Sequence, residues 1–180
     1  MSGRELQGRE DTTAGRRHKQ KGVRVLRHRS REGPMQAKLL NDDGQRTYAL
    51  VLETGDEVME AVQAFARRER LKAAQFSAIG AFQEAVLCYF DWKTKKYLPN
   101  PIREQVEVAS LTGDIAIAPE GGNTVHMHAV LGRSDGTAMA GHLAEGRVRP
   151  TLEIVLTESP SYLQRQLDPD SGLALIKLTS

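Results

Sequence analysis

The chain is short of the residues that would announce a secreted, membrane or disulfide-built protein. Its one cysteine, Cys88, excludes an internal disulfide and fits a reducing, cytoplasmic compartment. Cys88 lies in the apolar stretch 85–90, where a buried, inert thiol is expected. Aromatic residues make up only 5% of the chain, so the interior should be mostly aliphatic. No apolar run approaches the 18 or more residues of a membrane span. The first 30 residues are polar and charged, so no signal peptide is read there. Nucleophile elbow, phosphate loop and dinucleotide fingerprint are all missing, and Gly121-Gly122 after Pro119-Glu120 reads as a turn.

What is present is unevenly distributed. The formal net charge is +2, yet residues 1–33 hold ten Lys/Arg against four acids, +6, while the remainder holds 15 basic and 19 acidic residues, −4. The basic character belongs to the tail. Residues 1–33 lack apolar periodicity and read as a disordered tail, with residues 23–26 the one fragment suited to an edge strand. Such a tail suits loose binding to DNA or another polyanion, although a plain solvated extension is the favoured reading.

From Met35 the pattern becomes regular, and residues 34–180 read as one domain. Residues 48–52 suit a strand. Thr54-Gly55-Asp56-Glu57 is a capping-box start, and the helix it opens is expected to reach about Lys72, burying Val58, Val62, Phe65 and Ala66. Runs at 74–79 and 85–90 read as strands joined through Gly80. Residues 97–103, with Pro99 and Pro101, read as an irregular connection. Short strands follow at 104–111, 114–118, 124–131, 137–143 and 151–156, then a turn at Asp168–Gly172 and a last apolar piece at 173–178. Strands joined by short turns favour antiparallel pairing, and one early helix makes the class α+β: a mostly antiparallel sheet with one main N-terminal helix.

Three of the five histidines fall within 17 residues: His126, His128 and His142. Side chains at i and i+2 of a strand share a face, so His126 and His128 can aim at one point. Ser134-Asp135-Gly136 between them and His142 is a tight-turn sequence. A two-residue Asp135-Gly136 loop would put His142 on the other face. A three-residue loop with Gly136 left-handed pairs residues whose numbers sum to 270, and then His128 faces His142. Because one residue of slip reverses every side chain, this loop decides whether the site exists. The three-residue register is expected, with Ala129, Leu131, Met139 and Leu143 covering the opposite face. Neutral imidazole is the commonest metal ligand, and three of them with an open fourth position suit reactive zinc. A polar stripe, a pH sensor or an acid–base group remain the alternatives for such a cluster.

These elements resemble a known family. Residues 107–113 (Glu-Val-Ala-Ser-Leu-Thr-Gly), His126-Met127-His128-Ala129, Gly141-His142-Leu143, Gly146, Val148 and Thr151-Leu152-Glu153 look like the signature of the plants-and-prokaryotes conserved domain. Residues 48–57 and Ile79-Gly80-Ala81 are similar to its opening strand and central Ile-Gly-Ala. The resemblance covers about residues 45–178. It implies a homotrimer, a largely unassigned activity, and zinc or another divalent transition metal on His126, His128 and His142. Plant members carry an Arg-Gly-Arg-Pro AT-hook, and many relatives bear a DNA-binding label. This chain has no such hook: residues 146–150 (Gly-Arg-Val-Arg-Pro) fall inside the expected fold, whereas a hook needs a free arm in the minor groove. The plant partner-binding hexapeptide is also absent, with Glu104–Ala109 in its place.

A zinc-bound water would want a carboxylate nearby, as proton shuttle or as a brace for a histidine. Glu107, from the family motif, is the candidate catalytic residue, ahead of Glu145 and Glu153; Arg133 and Arg147 suit an anionic ligand near the hairpin. The expected function is a cytoplasmic, trimeric metal-binding protein with a small-molecule ligand near the metal and no membrane association. The alternative is a DNA-associated regulatory protein acting through residues 1–33.

Overall fold

The computed structural model describes residues 25–26, 35–159 and 162–178. Among the described residues, ten strands and one helix follow in the order β1 (Val25–Leu26), β2 (Gln36–Asn41), β3 (Thr47–Glu53), α1 (Val58–Arg68), β4 (Ala74–Asp91), β5 (Lys96–Ile102), β6 (Val106–Ile117), β7 (Asn123–Gly132), β8 (Ala138–Glu158), β9 (Arg165–Leu167) and β10 (Ala174–Ile176). The class is α+β, and every pairing between named strands is antiparallel. Eight strands form one sheet in the order β1-β2-β3-β8-β7-β6-β4-β5, and a further β4–β8 pairing closes β4, β6, β7 and β8 on themselves. β9 and β10 form a separate hairpin, tied to the end of β6 by Ile117 N–H donating to Leu163 O at 2.7 Å. Of the tail, only Val25–Leu26 is described, pairing with Lys38 and Ala37 of β2. The rest of the expected disordered segment lies outside the described residues.

Alternation along the strands sets the core. Tyr48, Leu50 and Leu52 of β3, Met127, Ala129 and Leu131 of β7, and Leu152, Ile154 and Leu156 of β8 are buried, each separated from the next by one less buried residue. Period 2 on a half-buried sheet gives this pattern. The helix buries Val58, Val62, Phe65 and Ala66, as its 3.6-residue spacing requires. It packs on β7 and β8, and the Gln63 amide clamps it to β7 by donating to Asn123 O at 3.0 Å and accepting from Val125 N–H at 3.2 Å.

Several expected boundaries shift. The helix ends at Arg68 with Arg70 at φ 55 beyond it, so Lys72 is outside. Its N-cap is Glu57, whose carboxylate accepts from Glu60 N–H at 2.8 Å, and Thr54 instead donates to Pro150 O. β2 was not anticipated. Three pairs of expected short strands are single long ones: β4 runs through Gly80, β6 through Gly113, and β8 through Pro150. Glycine marks a close backbone approach here rather than a break: a Cβ on Gly80 would sit 2.2 Å from Thr151 O, and one on Gly113 2.6 Å from His126 O. Pro150 falls where the β4–β8 register shifts between Gly80 and Phe82, a position that needs no ladder N–H. Residues 97–103 are largely the strand β5, whose two prolines are tolerated because it has only one neighbour, β4.

Candidate metal centre

The hairpin between β7 and β8 has the three-residue loop. Arg133 N–H donates to Thr137 O and Gly136 N–H to Arg133 O, with Gly136 at φ 83; the Asp135 carboxylate accepts from both Thr137 N–H and its hydroxyl. Opposed residues follow the 270 register, and His128 faces His142. Met127, Ala129, Leu131 and Leu143 are buried on the other face, with Met139 partly so. All three imidazoles therefore stand on one face, with ring centroids 5.1 Å (126–128), 5.1 Å (126–142) and 5.5 Å (128–142) apart. One nitrogen from each lies within 4.8 Å of the others.

His142 is the deepest in character. It is stacked between His126 and Tyr97, the latter at 4.8 Å and 29°, and its Nδ1 is buried with no hydrogen-bond partner among the described residues. Burial, then the charges of His126 and His128, pushes its pKa down to about 4. Burial and His126 lower His128 as well. Both rings are thus neutral near pH 7, the form that ligates metal.

The carboxylate beside the cluster is Asp114, not Glu107. Asp114 sits directly across from His126 in the β6–β7 register, with Oδ2 3.6 Å from His126 Nδ1. Glu107 is exposed and opposite Gly132, four residues along β7 from His128, or about 13 Å at 3.3–3.4 Å per residue. Glu145 stands across from Val86 and lines a separate pocket with Glu57 and Glu84, and Glu153 stands across from Val51 and Ile79; neither lines the histidine cleft. Arg133 pairs with Glu104 and Arg147 with Glu84. Residues that the sequence reading missed are Asp114, Tyr97 and Arg165. The histidines open onto a cleft of about 900 Å³ whose lining includes Phe90 and Tyr97 and, from the C-terminal segment, Leu173 and Leu175. Cys88 lines the same cleft and is buried; burial, then the Glu145 charge, raises its thiol pKa.

The arrangement suits a metal by its donor chemistry and by the orphaned Nδ1 of His142. Zinc–nitrogen bonds of about 2.0–2.1 Å place two nitrogens of a tetrahedral site roughly 3.4 Å apart, within reach of small side-chain rotations from the separations seen.

Residues 40–160 match the description of the Plants and Prokaryotes Conserved (PCC) domain. The chain belongs to this family. Among solved structures, a candidate DNA-binding protein from Bacteroides thetaiotaomicron is similar at 30% identity and TM-score 0.71, over 78% of this chain and 96% of its own. A plant- and prokaryote-conserved protein from Pyrococcus horikoshii is 29% identical, TM-score 0.69, over 75% and 93%. A metal-containing protein from Archaeoglobus fulgidus is 30% identical, TM-score 0.67, over 73% and 93%. No curated protein matches the sequence. Among the described residues no helix is long and apolar enough to cross a membrane.

Proposed function

We propose that the protein binds a divalent transition metal, zinc by preference, through His126, His128 and His142, and takes a small molecule in the adjoining cleft. The observation that carries this is three imidazole nitrogens within 4.8 Å of one another on two paired strands. The description of the Archaeoglobus relative as metal-containing supports it. Three neutral histidines leave a ligand position open, where bound zinc supplies Lewis acidity and lowers the pKa of water. The protein's own part is to hold the rings on a rigid ladder and to wall the cleft with Phe90, Tyr97 and the C-terminal segment. Catalysis in this setting would be hydrolytic. We assign the protein to the cytoplasm, with Cys88 as a reduced thiol.

Purified wild-type protein should carry about one zinc per chain by elemental analysis without added metal, and His128→Ala should carry none. Wild type that is zinc-free and takes up none on addition overturns the assignment.

Self-association, as a homotrimer, belongs to the same reading. Val51, Ile79 and Val155 are 36%, 62% and 51% exposed on the outer face of the adjoining strands β3, β4 and β8. Clustered apolar side chains on a sheet face suit a protein interface.

A second reading is favoured by the +6 charge of residues 1–33 and by the description of similar structures as candidate DNA-binding proteins. The tail would then hold DNA by phosphate contacts. It predicts affinity that falls linearly in log–log with salt and disappears on deleting residues 1–33. The segment 146–150 takes no part, because it is built into β8 with Val148 fully buried.

A further inference from the structure

Beside the histidines lies a charged pair that the three-histidine reading does not use, Asp114 and Arg165, of which Arg165 lines the cleft. Arg165 is nearly buried, its side chain 8% exposed, and it is brought in by β9, beyond the last residue of the family match. Its Nη2 donates to Asp114 Oδ1 and its Nη1 to Ala174 O at 3.0 Å, while Nε has no partner among the described residues. One oxygen of the Asp114 carboxylate is therefore fixed from below. The other, Oδ2, is left facing His126 Nδ1 at 3.6 Å, one small rotation short of a hydrogen bond. A metal-ligating histidine commonly donates its remaining N–H to a carboxylate, which selects the tautomer and fixes the ring.

Resting on the metal reading above, we propose that Asp114 is a positioning residue for the metal centre: it accepts the His126 Nδ1 proton, leaving Nε2 for the metal, and Arg165 holds it in place. The pair is suited to this work in both directions. A buried guanidinium left alone is costly, so Asp114 stays ionised beside it. An ionised carboxylate is the stronger acceptor for an imidazole N–H. No other carboxylate suggested by the sequence reaches the cluster. The arrangement also commits His126 to one orientation, whereas the Nδ1 of His142 faces no acceptor.

The rival account is that Asp114 does no more than neutralise Arg165. Zinc affinity, measured by competition with a chromophoric chelator, separates the two. The set comprises wild type, His128→Ala, Asp114→Asn, and Asp114→Asn/Arg165→Met, the last without the unpaired buried charge. The positioning role predicts about 10–100-fold weaker zinc binding in both Asp114 variants. Recovery of wild-type affinity in the double variant overturns it. Long-range 1H–15N spectra of zinc-loaded wild type need no substitution: the His126 proton is expected on Nδ1, and a proton on Nε2 overturns the proposal even where the variants do not fold. If wild type binds zinc and His128→Ala does not, unaffected Asp114 variants sink this proposal alone. A wild type that refuses zinc sinks the metal reading and this one together.

Discussion

Single residues carry charge and space that the surrounding strands cannot supply. His142 is neutral down to about pH 4 because burial, then its two histidine neighbours, oppose its proton. An unfolded imidazole titrates near 6.5. Between those values the unfolded chain binds the extra proton, so the metal-free protein loses stability as pH falls from about 6.5 to 4; above and below that window His142 contributes no slope. Urea midpoints of metal-free protein should therefore be lower at pH 5 than at pH 7, and His142→Gln should narrow the gap. An unchanged gap in the variant would remove His142 as the cause. Space is decided at Gly80, at φ 150, where a Cβ would lie 2.2 Å from Thr151 O and 2.8 Å from Leu152 Cα. Both obstacles are backbone and cannot swing aside. Gly80→Ala is expected to cost about 3 kcal/mol, read as a drop in urea midpoint with an unaltered slope; a loss under about 1 kcal/mol would mean that β8 can move off β4.

At the scale of elements, the hairpin loops set which side chains meet. The histidine cluster was legible because the turn at residues 134–136 fixes a countable register. Asp114 was equally countable. Residues 119–121 form a second three-residue loop of the same kind, with Ala118 N–H on Gly122 O, Gly121 N–H on Ala118 O and Gly121 at φ 90. Carrying that register down β6 and β7 puts Asp114 opposite His126, and Glu107 out of reach. Tyr97 and Arg165 were less legible. Prolines disguised β5, and no local pattern ties Arg165 to a strand 51 residues earlier. The long strands were misread as pairs because glycine and proline punctuate short-range pattern, while here close packing between β4 and β8 overrides them. Deleting Asp135 should force a two-residue loop, turn His142 to the opposite face and abolish zinc binding. Retained binding would show that the chain restores the register by a bulge.

For the molecule as a whole, the helix, the α+β class and the alternating core followed from periodicity, but the closure of β4, β6, β7 and β8 did not. Closure needs β8 to be long enough to pair with β7 at residues 138–142, with β4 at 142–158 and with β3 at 151–157, and the Arg149-Pro150 step hides that length. Assembly belongs to this scale too. If the proposed homotrimer forms through the exposed face that carries Val155 and Ile79, wild type should sediment as a trimer and Val155→Glu as a smaller species, with the same zinc content. A variant that remains trimeric would place the interface elsewhere.

The β7–β8 hairpin also has a consequence in time. Its three imidazoles are contributed by 17 consecutive residues, and hairpins close within about 1–10 μs. Arg165 lies 23 residues further on and meets Asp114 across a separation of 51 residues, a contact of much higher loop-closure cost. On refolding, the three rings are therefore expected to face one another before the charge pair beside them is closed.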